Sequence, residues 1–267
     1  MPRIIAAIDS SASSGPVLDM ALAIAPLFGA DVGAVHVGED GASTARAMAE
    51  RVGVPFEALS GDPLTRIAAL AGHRDTVAVA LGARQTPAGR RPAGHLALAG
   101  ADRTDKPVLV VAPEAHPPMR VRRVLVGLEG TPSKTRRLSR AIELVDTEVE
   151  VVVLHVDDYG SIPPFTNHGG HETEAYAREF LARHCPGVPI DRLELRIGDP
   201  VEEILAVSEA VGADLVALGW PQGREPAGGV VARSVLSRSH MPLLLVATTD
   251  VRRNPMKEVQ HGREIHH

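Results

Sequence analysis

The sequence predicts an α/β fold made of two tandem, doubly wound domains, each with a five-stranded parallel sheet and helices on both faces. Two observations predict this fold. Short runs rich in Val, Ile, Leu and Ala alternate with longer amphipathic stretches, and such alternation is typical of βαβ units. The order of these signals also repeats, so that the local motifs of the first half return in the second. The repeated unit has the length of an ordinary single domain.

Ten short apolar runs are predicted to be strands, and several are apolar on both faces, as in parallel strands covered by helices on two sides. In the first half these runs are Ile4–Asp9, Asp31–His36, Pro55–Leu59, Thr76–Leu81 and Pro107–Ala112. In the second half they are Arg123–Glu129, Glu148–His155, Asp191–Arg196, Asp214–Leu218 and Pro242–Ala247. Between the runs, Gly15–Phe28 and Lys134–Leu144 repeat apolar residues at helical spacing.

The landmarks of the repeat recur in a fixed order. The end of the first strand, at Asp9, returns at Glu129, which is 120 positions later. The Gly-Asp-Pro motif that contains Asp62 returns at Asp199, which is 137 positions later. The increase in offset from 120 to 137 places an insertion of about 17 residues at Asp157–Glu172. In each Gly-Asp-Pro motif we expect the aspartate to cap a helix that begins with the proline.

The repeat divides the chain into a first domain at residues 1–113, a second at residues 121–249 and a charged tail at residues 250–267. The prolines of the segment Pro113–Arg120 favour an extended connection between the two domains. The tail shows no apolar periodicity, which predicts a frayed end.

Composition excludes several classes of protein. The net charge of −5 argues against binding nucleic acid through its phosphates. Four Phe, two Tyr and one Trp leave few rings on which bases could stack. The only cysteine, Cys185, excludes an internal disulfide and a cysteine-based zinc cluster. No apolar run reaches the ~18–20 residues that span a bilayer. We therefore expect a cytoplasmic protein without nucleic-acid or membrane partners.

In an open parallel sheet, ligands bind beyond the carboxyl ends of the strands. Three segments of each half should meet there, namely the turns after strands one and two and the glycine-bearing loop after strand four. Glycines let the backbone approach an anion, and a helix N-terminus adds N–H donors. Arg84 and Arg224 lie in these loops and can add contacts to phosphate. The same composition also fits a solvated surface loop.

Several motifs carry a resemblance over nearly the whole chain. They are the strand end Ile8-Asp9-Ser10, the segments Val35-His36-Val37 and Leu154-His155-Val156, and the Gly-Asp-Pro motifs. The most diagnostic is the run from Gly229 to Leu236 that is followed by His240-Met241-Pro242. With these motifs the chain resembles the universal stress protein family, specifically its tandem two-domain members. The resemblance implies an adenine nucleotide alpha-hydrolase-like fold, an internal pseudo-dimer or a homodimer, and a role in stress survival.

The resemblance also implies a ligand, because many members of the family bind ATP. In them the acidic residue after strand one and the residue after strand two meet adenine, and a Gly-x2-Gly-x9-Gly-Ser/Thr loop holds the phosphates. Carried onto the first half, the pattern selects Asp9, Ser10, Val37, Gly82, Arg84, Gly94 and His95. Carried onto the second half, it selects Glu129, Val156, Gly219, Gly223 and Gly229.

Both halves depart from the pattern. In the first, Gln85 replaces the second glycine and His95 replaces the hydroxyl residue. In the second, Gly223 lies one place late, Val230 replaces the hydroxyl residue and Glu129 stands where Asp is expected. The acidic turn after strand one matches the family pattern better in the first half, where it carries Asp9.

The prediction is a non-catalytic stress-response protein that binds ATP in its first domain. A nucleotide-free scaffold joined through its fifth strands and a slow nucleotide hydrolase remain alternatives.

Other constellations have simpler interpretations. His168 and His171 in the insertion have the spacing of metal ligands, but the neighbouring glutamates fit the start of a helix equally well, and we predict no metal site. Trp220 either covers a bound base or is a partly buried aromatic where strand four ends. The serines near Asp9 are explained by helix capping. The chain has no Gly-x-Ser-x-Gly motif, and we assign no catalytic residue.

Overall fold

The computed structural model describes residues 1–83, 95–128, 148–157, 179, 182, 192–221 and 229–248. The predicted helix Lys134–Leu144, residues 158–172 of the insertion, Cys185 and the charged tail lie outside the described residues. The predicted contributions of Arg84, Gly94, Glu129 and Gly223 also lie outside them.

All ten predicted strands are present, and their ends differ from the prediction by two residues at most. The first half contains β1 (Arg3–Ala7), β2 (Asp31–Val37), β3 (Phe56–Leu59), β4 (Thr76–Gly82) and β5 (Val108–Val111). The second half contains β6 (Arg123–Leu128), β7 (Glu150–Asp157), β8 (Arg192–Ile197), β9 (Leu215–Trp220) and β10 (Leu243–Ala247).

The described helices lie between these strands. In the first half they are α1 (Ser14–Ile24), which continues as the 3₁₀ turn Ala25–Phe28, then α2 (Ala42–Arg51), α3 (Pro63–Ala71) and α4 (His95–Ala101). In the second half they are α5 (Pro200–Val211) and α6 (Val230–Arg238). The predicted helix Gly15–Phe28 is confirmed as α1 and its 3₁₀ extension.

The ten strands form one continuous sheet in the order β3-β2-β1-β4-β5-β10-β9-β6-β7-β8. Within each half the strands are parallel, and the halves join through an antiparallel pairing in which Leu244 lies opposite Leu109. This is the arrangement predicted for a pseudo-dimer through the fifth strands. Because the pairing is antiparallel, the carboxyl ends of the two halves point to opposite edges of the common sheet. The domain limits, residues 1–113 and 121–249, stay predictions.

Apolar side chains alternate between the two faces of the sheet and build a core on each. On one face, Leu109 and Leu244 pack with the buried residues of α1 and α2. On the other face, Val110 and Leu245 pack with buried residues of α3, α4, α5 and α6. Each cluster contains residues of both halves. Both hydrophobic cores therefore extend across the junction, which is the pairing of β5 with β10.

The two Gly-Asp-Pro motifs begin α3 and α5 as predicted. The Asp62 carboxylate accepts a hydrogen bond from the backbone N–H of Thr65 at 2.8 Å. Asp199 accepts from the N–H groups of Val201 and Glu202, at 2.9 and 3.1 Å. The hydroxyl and the N–H of Thr65 hold the pKa of Asp62 below its usual range, because both donate to the ionised form. The capping interpretation is confirmed in both halves.

Strand β8 forms one edge of the sheet and carries a row of charges. The Arg192 and Arg196 guanidinium groups lie 2.5 and 2.8 Å from the carboxylate oxygens of Glu194. These residues are two positions apart and therefore share one face of the strand. Charged side chains on an edge strand discourage pairing with another chain.

The junction should contribute strongly to stability. Leu109 is fully buried beside the antiparallel pairing, whereas Leu22 on α1 is 37% exposed. We expect Leu109→Ala to lower the free energy of unfolding by about 2–5 kcal/mol, because the truncation leaves a cavity. The matched change Leu22→Ala should cost less than about 1 kcal/mol. Urea denaturation of both variants tests this, and equal losses would contradict it.

Candidate functional site

The turn after β1 holds Asp9 through three hydrogen bonds. Its Oδ1 accepts from the backbone N–H of Ser11 at 2.8 Å, from the Ser11 hydroxyl at 2.5 Å and from the Ser14 hydroxyl at 3.0 Å. Ser14 Oγ accepts in turn from the Asp9 N–H at 2.9 Å. Ser13, at the N-cap of α1, makes no side-chain capping bond. The prediction that these serines serve as helix caps is therefore wrong, since Ser11 and Ser14 instead fix the Asp9 carboxylate.

A buried histidine ends the second strand of each half in the same way. His36 Nδ1 lies 3.0 Å from the carbonyl oxygen of Ile8, and its Nε2 lies 2.9 Å from that of Asp40. His155 Nδ1 lies 3.1 Å from the carbonyl oxygen of Leu128, and its Nε2 lies 3.2 Å from the carboxylate of Asp157. His36 links the end of β1 to the turn after β2, and His155 links the end of β6 to the last residue of β7, so in each half these two segments lie side by side.

The first-half site residues within the described part of the chain lie at one edge of the sheet. Ala7, two residues before Asp9, pairs with Val35 of β2 and with Leu81 of β4, next to Val37 and Gly82. Gly41, at φ +87°, lies so close that a Cβ there would come within 2.8 Å of the Ser10 side chain. The turn before α2 therefore covers Ser10. His95 begins α4.

The second half has a cavity of about 260 Å³ at the carboxyl edge of its strands. Its walls include Leu128 of β6, Val156 of β7, Leu218 and Gly219 of β9, Pro200 at the start of α5, and Gly229–Ala232 at the start of α6. Three predicted site residues, Val156, Gly219 and Gly229, therefore lie together.

Two of these glycines have packing reasons of their own. A Cβ at Gly219 would come within 2.8 Å of the Thr248 Cγ2 beyond β10. Gly229 has φ +73°, and a Cβ there would come within 2.6 Å of the Trp220 ring. Both positions require glycine whether or not a ligand is bound.

Trp220 fixes the end of β9 and the start of α6. It is 1% exposed, and its Nε1 donates to the Asp102 carboxylate of the first half at 2.9 Å. The Arg233 guanidinium lies 5.2 Å from the centre of the ring, in a cation–π contact. The interpretation of Trp220 as a partly buried aromatic residue is close to the structure, although its side chain is almost completely buried. No local sequence pattern points to Asp102, which is 118 positions away.

An exposed ion pair joins the two helices that border the cavity. The Arg238 guanidinium donates to both carboxylate oxygens of Glu202, at 2.6 and 2.9 Å. These hydrogen bonds hold the pKa of Glu202 below its ordinary value, because Arg238 stabilises the ionised carboxylate. They raise the pKa of Arg238 for the same reason. The pair links the last turn of α6 to the first turn of α5.

Two further observations concern metal ions and membranes. Within the described ranges, no three His, Cys, Asp or Glu side chains form a group that could hold a metal ion. His168 and His171 lie outside those ranges. None of the described helices is long and apolar enough to cross a membrane.

Comparison with known proteins agrees with the family resemblance. Residues 120–247 match the model of the universal stress protein family. The second half of the chain thus matches a universal stress protein domain, as the sequence motifs predicted. The first half repeats the same strand order, with β1 flanked by β2 and β4. No curated protein matches the sequence.

Solved structures share the fold over both halves. A universal stress protein from Archaeoglobus fulgidus DSM 4304 matches with a TM-score of 0.64 at 18% identity, over 92% of this chain and 98% of that chain. A putative universal stress protein from Pseudomonas aeruginosa UCBPP-PA14 matches with a TM-score of 0.64 at 16% identity, over 92% and 93%. A shorter universal stress protein, solved in complex with cAMP, matches 48% of this chain and 98% of its own at 22% identity, with a TM-score of 0.35.

The Glu202–Arg238 pair should make stability depend on acidity. Because the folded state lowers the pKa of Glu202 from its ordinary value of 4.5, the stabilisation is present above that value. It is lost as the pH falls through the lower, folded-state pKa. We expect Glu202→Gln to lower the melting temperature slightly at pH 7, and this difference should shrink as the pH falls below 4.5. A difference that persists unchanged at pH 3 would contradict this.

The hydrogen bond between Trp220 and Asp102 should couple the two halves. Trp220→Phe removes the N–H donor and keeps an aromatic ring, whereas Asp102→Ala removes the acceptor. We expect a coupling energy of about 1 kcal/mol between the two changes, because the double variant loses only one hydrogen bond. Unfolding free energies of the parent, both single variants and the double variant measure it. Strictly additive losses would show that the bond contributes nothing.

Proposed function

We propose that this chain is a non-catalytic stress-response protein of the cytoplasm that binds an adenine nucleotide, with ATP in its first half. The observation that carries the proposal is that predicted site residues lie together at the carboxyl edge of each half. In the first half, Ala7 of β1 pairs with Val35 and Leu81, next to Val37 and Gly82. In the second half, Val156, Gly219 and Gly229 line a cavity together. Ligands of open α/β sheets bind at this edge. By the repeat, the corresponding edge of the first half is a second ligand site.

The first half supplies a carboxylate suited to a polar ligand. Ser11 and Ser14 hydrogen-bond Oδ1 of Asp9, so the orientation of the group is set before a ligand arrives. A carboxylate accepts hydrogen bonds from the amino and hydroxyl groups of a nucleoside. Val37, half-buried on the neighbouring strand, offers an apolar contact for a base. These features support the first half as the site of highest affinity.

A nucleotide-free scaffold is the second candidate, and the shared sheet favours it. The antiparallel β5–β10 pairing and the two cores that cross it join both halves into one unit. Such a unit can present its two faces to a partner without any ligand. The two candidates differ in a measurable property, since only the first requires nucleotide binding by the full chain.

Matched substitutions can assign ATP to one half. Val37 is the last residue of β2, Val156 is the last but one of β7, and both are half-buried. A phenylalanine at either position would occupy the space beside its own strand end. We expect Val37→Phe to weaken ATP binding by at least tenfold and Val156→Phe to leave it within about twofold. Isothermal titration calorimetry of the full chain measures both, with circular dichroism to verify folding.

The other outcomes separate the alternatives. If ATP does not bind the parent protein, the scaffold replaces the nucleotide-binding proposal. If Val156→Phe causes the larger loss, ATP occupies the second half instead. Release of inorganic phosphate from ATP over hours, at a rate proportional to protein concentration, would identify a slow hydrolase.

A further inference from the structure

The surroundings of His36 require more hydrogen-bond donors than a neutral imidazole has. The residue is 4% exposed, and its two ring nitrogens lie 3.0 and 2.9 Å from the carbonyl oxygens of Ile8 and Asp40. Both partners are carbonyls, which can only accept hydrogen bonds. A neutral imidazole has one N–H group, whereas an imidazolium has two. Both hydrogen bonds therefore form at once only when the ring is protonated.

The two hydrogen bonds differ in how readily water can replace them. Ile8, directly after β1, is 5% exposed, so its carbonyl oxygen depends on a partner inside the protein. Asp40 lies in an exposed turn, where water can bind its carbonyl oxygen in place of the ring. When the imidazolium loses a proton, we therefore expect the remaining N–H to stay on Nδ1, facing Ile8, and the hydrogen bond to Asp40 to be lost.

The Asp40 carbonyl belongs to the turn at residues 38–41, between β2 and α2. A Cβ at Gly38 would lie 3.4 Å from Nε2 of His36. At the other end of the turn, a Cβ at Gly41 would come within 2.8 Å of the Ser10 side chain. The turn therefore packs between the imidazole and Ser10, at the carboxyl edge of the first half. Its position depends on the ring on one side and covers Ser10 on the other.

The equivalent histidine of the second half has a different outer partner. His155 Nδ1 also faces a carbonyl oxygen, that of Leu128, but its Nε2 lies 3.2 Å from the carboxylate of Asp157. Asp157 is the last residue of β7, so this contact stays within one strand. A change in the charge of His155 would act on a strand end, whereas a change in the charge of His36 acts on a turn.

Other charged groups lie on the elements that pack around His36. Carboxylates and guanidinium groups ordinarily keep their charge between pH 5 and 8, whereas histidine changes its charge in this interval. A change in the turn over this interval therefore indicates the imidazole. The groups lie in the turn after β1, on α1, in the turn at residues 38–41, on α2 and on β3, and they are Asp9, Asp19, Glu39, Asp40, Arg46 and Glu57.

We propose that protonation of His36 controls the turn at residues 38–41. The imidazolium form holds this turn over Ser10, and loss of one ring proton releases it, so that the edge beside Asp9 becomes more accessible as the pH rises. His36 is thus a positioning residue for that edge. The inference concerns the free protein and goes beyond nucleotide binding, so its test needs no nucleotide.

The first measurement follows the ring in the full-length protein. Nitrogen-15 NMR of the histidine side chains shows whether one or both ring nitrogens carry a proton, and through-bond correlations to the backbone identify His36. We expect both nitrogens to be protonated at pH 5 and Nδ1 alone to be protonated at pH 8. A ring that keeps one charge state over this range would overturn the proposal.

The second measurement follows the turn through amide hydrogen exchange. The N–H of Ala45 donates to the Gly41 carbonyl oxygen at 3.0 Å in the first turn of α2, and the N–H of Arg66 donates to that of Asp62 at 3.0 Å in the first turn of α3. We expect the protection factor of Ala45 to fall about tenfold from pH 5 to pH 8, the effect of losing one hydrogen bond to a charged group. The protection factor of Arg66, the matched control, should change by less than about twofold.

The variant His36→Gln separates the imidazole from the charged groups around it. Its side chain does not titrate, so the protection of Ala45 should be the same at pH 5 and pH 8. If the pH dependence of Ala45 persists in this variant, another group controls the turn and the proposal is wrong. If His36 of the parent loses its proton while Ala45 changes no more than Arg66, the imidazole does not hold the turn. This last comparison uses the parent protein alone, so it decides the question even if His36→Gln does not fold.

Discussion

The antiparallel pairing of β5 with β10 sets how the two halves of the sheet lie relative to each other. Val108, Leu109 and Val110 pair with three leucines of β10, and apolar residues on both faces continue across the pairing. Because the strands run in opposite directions, the end of α4 in the first half lies beside the carboxyl edge of the second. This is why Asp102 reaches Trp220. The wall of the second cleft thus depends on the first half for its support.

The strands and their order of appearance could be predicted because they depend on local patterns. Apolar runs define the strands, and the Gly-Asp-Pro motifs define the starts of α3 and α5 through a bond that spans two or three residues. Three predicted residues of the second cleft also lie together, because strand ends in a parallel sheet converge. For these residues the local sequence pattern and the strand order of the sheet predict the same location.

The remaining features depend on contacts that no short pattern encodes. The bond from Trp220 to Asp102 joins residues 118 positions apart. The serines after β1 have the composition of a helix cap, yet Ser11 and Ser14 donate to the Asp9 carboxylate, because hydrogen bonds to a carboxylate are stronger than those between neutral groups. Gly219 looks like a ligand-loop glycine, but it also makes room for Thr248. In each case a tertiary neighbour supplies the reason.

Joining the halves within one polypeptide changes what a substitution can do. In a symmetric homodimer every change appears twice, once on each side of a shared interface. In this chain Leu109 and Leu244 lie opposite each other but are separate positions, so each can vary alone. The same freedom holds for Ala83 and Trp220, which follow equivalent glycines yet differ greatly in size. Dilution cannot separate the halves either, because their association is intramolecular. One half can therefore change its chemistry while the other keeps its own.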